Sequence, residues 1–322
     1  MNFLAGMGKS NLPAYILAAG RGTRMYPFSQ LISKPLLPIV NIPMIIHSIK
    51  RLLLAGINQI SVVIKPEEQQ IQKILNTVYP DLEFCFIVQK DPLGTGHAVL
   101  QIEKYVEYDN FIVLAGDSLF SADYLEKLSK THLNASNIIT LSLEEMNYEQ
   151  MCKSSTVDYS NGRVWNIREK PQTRAEVLSN LSSAALYIFT PAIFDALKET
   201  DKSIRNEYEL APAIMKLINL GKRVGGKIAS QVYHISNAYD LWNTNLEFLK
   251  SVELEDSNGN LIGKEVENPT PNKVTNSVIG DFCSISDGVK VQNSVVLPNS
   301  FVKHDITYSL VLSDHSVSFL GE

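Results

Sequence analysis

The sequence predicts an α/β protein: a Rossmann-like mixed, mostly parallel sheet sandwiched by helices, followed by a short left-handed β-helix-like tail. Three observations predict it. Short runs rich in Val, Ile, Leu and Phe alternate with helical patterns through residues 13–145. A glycine loop, Gly20-Arg21-Gly22, follows the first of those runs directly. A short apolar repeat closes the chain: "NSVI" at 276–279, "NSVV" at 293–296 and "YSLV" at 308–311.

The runs at 14–18, 60–64, 84–88, 111–114 and 138–143 are continuous rather than alternating. That is the pattern of strands buried on both faces of a parallel sheet. Helical patterns lie between them at 43–55, 66–78, 95–103 and 121–132, the first with Ile46, Ile49, Leu53 and Leu54 on one side. Such alternation implies a parallel sheet with helices on both faces. From 146 to 250 strands are expected near 155–159, 163–169, 184–189 and 226–232, and helices near 191–198, 207–220 and 238–250. Asn161-Gly162 marks a hairpin turn. These elements complete the same domain, so one domain spans 13–250, after a flexible leader at 1–12. Residues 251–272 carry Asp256, Asn258, Gly259, Asn260, Pro269 and Pro271, which reads as a linker. In 273–322, Ile279, Ile285, Val291 and Leu297 recur every six residues, as the coils of a β-helix do. An irregular β-rich tail is the alternative. About fifty residues is two to three coils, too short for a second catalytic domain, so the tail either caps the fold or mediates homo-oligomerisation.

Composition narrows the function. The chain has 322 residues, 45% of them apolar and 20% charged, with a net charge of −5. The length suits about two domains. The charge and the lack of Lys/Arg runs argue against nucleic-acid binding. Cys85, Cys152 and Cys283 are odd in number and without metal-ligand spacing, which fits reduced, mostly buried thiols in a cytoplasmic protein. No apolar run reaches the ~18 residues of a membrane span, and Gly6, Gly8, Lys9 and Ser10 interrupt any signal-like start. Gly8-Lys9-Ser10 ends like a P-loop, but Phe3 stands where its first glycine belongs.

The informative stretch is 17–35, LAAGRGTRMYPFSQLISKP. In open parallel sheets, ligands bind beyond the carboxyl ends of the strands, and glycines there let backbone amides approach phosphates. A dinucleotide fingerprint needs a third glycine, and Met25 occupies that position. What marks this loop is a cationic pair, Arg24 and, ten residues later, Lys34, whose backbone Pro35 restrains. Two cations beside a phosphate nest suit a triphosphate and the charge that develops as pyrophosphate leaves. Further on, a strand ends at Gln89 before a Gly94-Thr95-Gly96 turn. A side-chain amide can pair with both edges of a base, and His97 reads as a packing residue. Another strand ends in Gly116-Asp117. That carboxylate suits Mg²⁺, which takes few protein oxygens plus phosphates and water; the alternative is a cap for the following helix.

These residues carry a resemblance to the sugar-1-phosphate nucleotidylyltransferase family over residues 13–250. Its pattern L-A-A-G-x-G-T-R-x-x-P…K-P is matched at Leu17, Ala18, Ala19, Gly20, Gly22, Thr23, Arg24, Pro27, Lys34 and Pro35, with Ser33 where a proline is usual. The resemblance implies a Mg²⁺-dependent transfer of a nucleotidyl group from a nucleoside triphosphate, UTP first and dTTP next, to a sugar 1-phosphate. Glucose 1-phosphate or N-acetylglucosamine 1-phosphate is the implied acceptor. It assigns Ala18, Ala19, Gly20, Gly22, Thr23, Gln89, Gly94 and Thr95 to the nucleotide, and Arg24 and Lys34 to catalysis. Gly116, Glu169, Lys170 and Ser183 fall to the sugar, and Asp117 to the metal. The second metal ligand, usually aspartate, aligns with His234; Asn237 and Asp240 are its alternatives. Glu207-Tyr208-Glu209-Leu210 resembles a family helix start with Ala211-Pro212 in place of Thr-Asp, and Ser183-Ala184-Ala185 stands where Asn-x-Gly is common. These departures leave a second reading, a weakly catalytic nucleotide-binding regulatory subunit.

Overall fold

The computed structural model describes residues 12–252 and 258–319; the leader, apart from Leu12, lies outside them. By contacts the chain forms two compact units. The first comprises the chain up to Gly20 with Ser48–Val232, and the second comprises Arg21–His47 with the chain from Tyr233 onward. This grouping differs from the linear division into 13–250 and 273–322. The segment after the glycine loop and the helix at 238–249 pack with the tail.

The first unit is built on a nine-stranded sheet of β1 (Ala14–Leu17), β2 (Ile60–Ile64), β3 (Cys85–Val88), β4 (Phe111–Ala115), β5 (Ile139–Glu145), β6 (Ser155–Ser160), β7 (Arg163–Glu169), β8 (Leu181–Phe189) and β9 (Val224–Ile228). Their order is β3-β2-β1-β4-β8-β5-β9-β7-β6. The pairs β3–β2, β2–β1 and β1–β4 are parallel, as is β5–β9. β8 runs antiparallel to both β4 and β5, so β5 follows β4 in direction without touching it. Continuous apolar composition fits either neighbour direction, and the pairing of β8 was therefore not readable from its sequence. The core gathers Phe111, Phe189 and Phe194, with Phe111 stacked on Phe194 at 5.5 Å.

Helices α1 (Met44–Leu54), α2 (Gln69–Val78), α3 (Thr95–Leu100), α4 (Ala122–Asn134), α5 (Ala192–Lys198), α6 (Leu210–Asn219) and α7 (Ala238–Leu249) follow the expected pattern. In α1 the expected Ile46 and Ile49 are buried together with Ile45 and Leu52, whereas Leu54 is 48% exposed. In the run of three leucines it is Leu52, not Leu53 or Leu54, that is fully buried. Residues 207–209, expected to open α6, precede it in extended backbone at Glu209. Among the cysteines only Cys283 is fully buried; Cys85 and Cys152 are half-buried.

The tail coils as its repeat predicts. Parallel pairing sets Leu261 on Val278, Val278 on Val295 and Val295 on Leu310. The repeat offsets of 17 and 15 residues are thus the lengths of the coils. Ile279, Ile285, Val291 and Leu297 are all buried. The first coil begins earlier than expected, inside the stretch read as linker, because Leu261–Ile262 pairs with Val278–Ile279. Each "NSV" has a structural task. Asn276 and Asn293 take left-handed backbone at the corner, with φ of 47° and 45°, a conformation asparagine tolerates. The serines build a ladder: Ser294 N donates to Ser277 Oγ and Ser309 N to Ser294 Oγ, both at 3.1 Å. Each hydroxyl donates in turn to a backbone carbonyl, Ser294 Oγ to Gln292 O at 2.6 Å. A final strand, His315–Ser318, turns back antiparallel on Ser309–Leu312 and ends the stack.

Ser294 is fully buried, so Ser294→Ala removes the acceptor for the Ser309 amide with no water to replace it. We expect it to lower stability by about 1–3 kcal/mol, read as a shift of the urea midpoint at unchanged slope.

Candidate functional site

The first unit lays its candidate groups along the carboxyl ends of adjacent strands. β3, β2, β1 and β4 are parallel neighbours in that order, and the ladder runs one residue past β1, β3 and β4. Ala18 N donates to Val63 O at 2.8 Å, Gln89 N to Ile64 O at 2.9 Å and Gly116 N to Leu17 O at 2.9 Å. Ala18 and Ala19 are buried, and Gly20 opens to solvent. A Cβ on Gly116 would lie 2.9 Å from Leu17 O and 3.4 Å from Ala18 Cα. The absence of a side chain there lets the β1 and β4 ends close up and brings Asp117 beside the glycine-loop root.

Asp117 is half-buried. The helix after it is capped by Ser121, whose Oγ accepts from Tyr124 N at 3.1 Å. The capping alternative for Asp117 therefore falls. Ser118 Oγ approaches the Asp117 carboxylate only to 3.4 Å. Among the described residues no cluster of three or more His, Cys, Asp or Glu is arranged to hold a metal. A single accessible carboxylate beside a phosphate-binding loop fits Mg²⁺, which keeps much of its shell as water and phosphate.

Gln89 sits just past β3, 5% exposed. Its Nε2 lies 2.9 Å from His97 Nδ1 and 3.5 Å from Gly94 O. The Gly-Thr-Gly turn between them is closed on the 207–208 segment: Tyr208 N donates to Leu93 O and Gly96 N to Tyr208 O, both at 2.8 Å. Gly94 has a φ of 101°, and a Cβ on it would lie 2.7 Å from Tyr208 O. No other residue fits there. Thr95 begins α3 and is exposed.

Glu169, at the end of β7, lines a cavity of about 460 Å³ with Arg168, Glu209, Pro212 and Met215. Burial pushes the Glu169 carboxyl up to about 7, and the Glu209 charge pushes it the same way, against the pull of Lys170 and Arg205. Glu209 is buried and ion-paired with Arg205. Lys170 takes left-handed backbone, φ 42°, and its N–H donates to Ser154 O at 2.8 Å. Ser183 is buried, and its hydroxyl donates to Tyr187 OH at 3.0 Å. Burial also raises the Tyr187 hydroxyl, the neighbouring Glu169 charge adding to the rise. Ala185 lies in the irregularity of β8 with φ 55°. That is the conformation a glycine adopts freely, and alanine holds it at a cost of roughly 1–2 kcal/mol.

The second unit carries the cations. Gly22 is left-handed, φ 65°, and its Cα faces the Lys34 and Ser29 side chains, each 3.4 Å from where a Cβ would be. The eleven residues between Gly22 and Lys34 thus double back, setting the Lys34 stem against the loop that bears exposed Thr23 and Arg24. The loop is rooted by the hairpin at 38–43, where Asn245 Oδ1 of α7 accepts from Val40 N at 2.7 Å and Asn245 Nδ2 donates to Pro38 O at 3.1 Å. His234 lies in a two-residue strand just before α7. Its alternatives as second metal ligand are otherwise engaged. Asn237 Oδ1 accepts from Asp240 N at 3.0 Å, and Asp240 Oδ2 accepts from Ser236 N at 2.7 Å and Asn237 N at 3.1 Å. Both belong to the capping box of α7.

Sequence reasoning missed Glu209 as part of the Glu169 cavity, Arg205 as its ion-pair partner, and the contact of His97 with Gln89. The "EYEL" stretch was visible, but nothing in it says that its second glutamate faces the strand ending at Glu169.

The nucleotidyl transferase family model matches residues 13–249. The bifunctional protein GlmU of Methanococcus vannielii is 34% identical over 75% of this chain and 56% of its own length. The chain thus spans a little over half of that relative. A glucose-1-phosphate thymidylyltransferase of Streptomyces griseus is 27% identical over 95% of this chain and 89% of its own. The solved UDP-glucose pyrophosphorylase from Acinetobacter baumanii shares the fold, with a TM-score of 0.65 at 22% identity over 74% of this chain and 94% of that one. No helix among the described residues is long and apolar enough to cross a membrane.

We expect Glu169 to titrate near neutrality in the free protein, read by carboxyl-resolved NMR. Glu209→Gln removes the neighbouring negative charge and leaves Arg205 nearby, so it should move the Glu169 titration down. A Glu169 midpoint near 4.5 in the unsubstituted chain would contradict the assigned burial effect.

Proposed function

We propose a function on the premise that this chain belongs to the nucleotidyl transferase family: it transfers a nucleotidyl group from a nucleoside triphosphate to a sugar 1-phosphate and releases pyrophosphate. UTP is the first candidate and dTTP the next, with glucose 1-phosphate or N-acetylglucosamine 1-phosphate as acceptor. The observation that carries this reading is the doubled-back loop of the second unit, which sets Lys34 against Gly22 within the turn that bears Arg24.

An oxygen of the sugar phosphate attacks the α-phosphorus. The bond from that phosphorus to the oxygen bridging it to the β-phosphate breaks, and the electron pair leaves with pyrophosphate. The attacking group is already an anion at neutral pH, so the protein supplies no nucleophile of its own. Its work is positioning and charge stabilisation. The loop from Ala19 to Thr23 faces the phosphates above Ala18, whose own amide stays in the ladder, and Arg24 and Lys34 neutralise the charge that gathers on the departing pyrophosphate. Gln89, Gly94 and Thr95 hold the base. Glu169 meets the sugar hydroxyls, and its raised proton affinity lets the carboxyl act as donor or acceptor. Lys170 holds the sugar phosphate, with Gly116 and Ser183 forming the wall. Mg²⁺, when bound at Asp117 and the position of His234, supplies charge neutralisation of the phosphates. The tail serves as a cap or as the surface of a homo-oligomer. Its packing on α7, through Trp242 Nε1 donating to Asn293 O at 2.8 Å, supports the capping role.

One observation favours a second reading. Because Asn237 and Asp240 are committed to the cap, a histidine remains at the second metal position, and Mg²⁺ prefers oxygen. A regulatory subunit that binds nucleotide without turning it over accommodates that residue.

Pyrophosphate release with Mg²⁺ separates the two. UTP, dTTP, CTP, GTP and ATP are each paired with glucose 1-phosphate, N-acetylglucosamine 1-phosphate and mannose 1-phosphate. Release with a uridine or thymidine nucleotide is expected; silence across the panel with nucleotide still bound selects the regulatory reading. In an active chain, Arg24→Ala should cut turnover by about a hundredfold or more with the fold intact by circular dichroism. Undiminished turnover would remove Arg24 from the catalytic role.

A further inference from the structure

His97 has no task in the reaction as written, yet it touches the side chain assigned to the base. Its ring stacks beside Tyr208, 6.2 Å between centroids, and its Nδ1 lies 2.9 Å from Gln89 Nε2. The same Nε2 lies 3.5 Å from the Gly94 carbonyl oxygen. Gln89 is almost fully buried, so the orientation of its amide is decided by these two neighbours. A carbonyl oxygen only accepts. An imidazole Nδ1 accepts when the neutral ring carries its proton on Nε2. With the amide turned the other way, Oε1 would face the Gly94 oxygen, acceptor against acceptor, in a place with little water.

The far side of the ring is compatible with this tautomer. Gln101 Nε2 lies 3.2 Å from His97 Nε2 and 3.2 Å from the His97 carbonyl oxygen. Gln101 is half-buried, and a half-turn of its amide gives the ring N–H an oxygen while solvent receives the amide nitrogen. Gln89 has no such freedom. Both its N–H groups are taken by the protein, and no described residue is hydrogen-bonded to its Oε1.

We propose that His97 is a positioning residue for base selection: as the Nε2–H tautomer it accepts from Gln89 and fixes that amide so that its carbonyl oxygen is the group presented to the base. The inference rests on the reading of Gln89 as the base-facing side chain. A carbonyl oxygen pairs with an imino N–H. Uracil and thymine carry that donor at N3, whereas cytosine has a lone pair there. The fixed amide therefore accepts the first two and sets acceptor against acceptor for the third, which is discrimination by repulsion as much as by attraction. The Gly-Thr-Gly turn places the histidine for this, because it reverses the chain between residues 89 and 97.

The test is the ratio of UTP to CTP affinity, measured by calorimetry with Mg²⁺ on the full chain, for the unsubstituted protein, His97→Phe and His97→Asn. Phenylalanine keeps a ring against Tyr208 and removes the acceptor; asparagine keeps an oxygen close to the Nδ1 position. We expect a preference for UTP of about tenfold or more, loss of most of that preference in H97F, and its return in H97N. A preference for UTP that survives in H97F reduces His97 to packing and overturns the inference while leaving the base site standing. Failure of the unsubstituted protein to bind either nucleotide overturns the base-site reading, and the inference with it. Long-range ¹H–¹⁵N NMR of the unsubstituted chain reads the tautomer directly, without relying on a variant that folds. The Nε2–H form is expected, and the Nδ1–H form would overturn the proposal.

Discussion

Parallel pairing of β1 between β2 and β4 is the constraint on which the first unit depends. Parallel strands end at the same edge of a sheet, so whatever follows each strand arrives in one row. Ala18, Gly116 and Gln89 are the residues that come just after a strand, each still bonded to the ladder through its own N–H. Their positions are set by backbone hydrogen bonds rather than by side-chain packing. A row of glycine, small and amide residues can therefore line the edge without weakening the core beneath it. Asp117 follows from the same arrangement, since the close approach at Gly116 settles where the next residue stands.

The second unit solves a different problem, that of holding a polar loop without a sheet. Loops carry backbone groups that must be satisfied, and here one buried carboxamide does much of that. Asn245 accepts from Val40 and donates to Pro38 and to Leu241 of its own helix. Three backbone groups thus converge on a side chain with no exposed surface. The same α7 is tied to the tail through Trp242. The loop bearing Arg24 and Lys34, the helix and the coils form one packing unit, which gives the tail a structural task whatever its role in assembly.

The Glu169 carboxyl owes its raised proton affinity to its surroundings. Glu169 shares a cavity wall with Glu209, and burial together with the Glu209 charge raises the Glu169 carboxyl, which Lys170 and Arg205 only partly offset. Asp117 lies half-open at a strand end. Glu169 is half-buried too, and a carboxyl of raised proton affinity can both donate to and accept from neutral hydroxyls.

Much of this was present in the sequence. Continuous apolar runs located the strands, since burial on both faces leaves no alternation. The offsets between 276, 293 and 308 are the coil lengths themselves, because stacked coils must repeat the same corner and the same serine. The glycine loop, Gln89, Asp117 and the Glu169 strand end were legible because each lies at a junction with its own residue chemistry. Tertiary structure decided what depends on residues far apart in the chain. The antiparallel placement of β8, the start of the first coil at Leu261 and the grouping of 21–47 with the tail leave no local signature. The convergence of Glu209 on Glu169 and of His97 on Gln89 is likewise set by where turns and strands bring the backbone. Periodicity records which face of an element is buried, but not which partner it meets there.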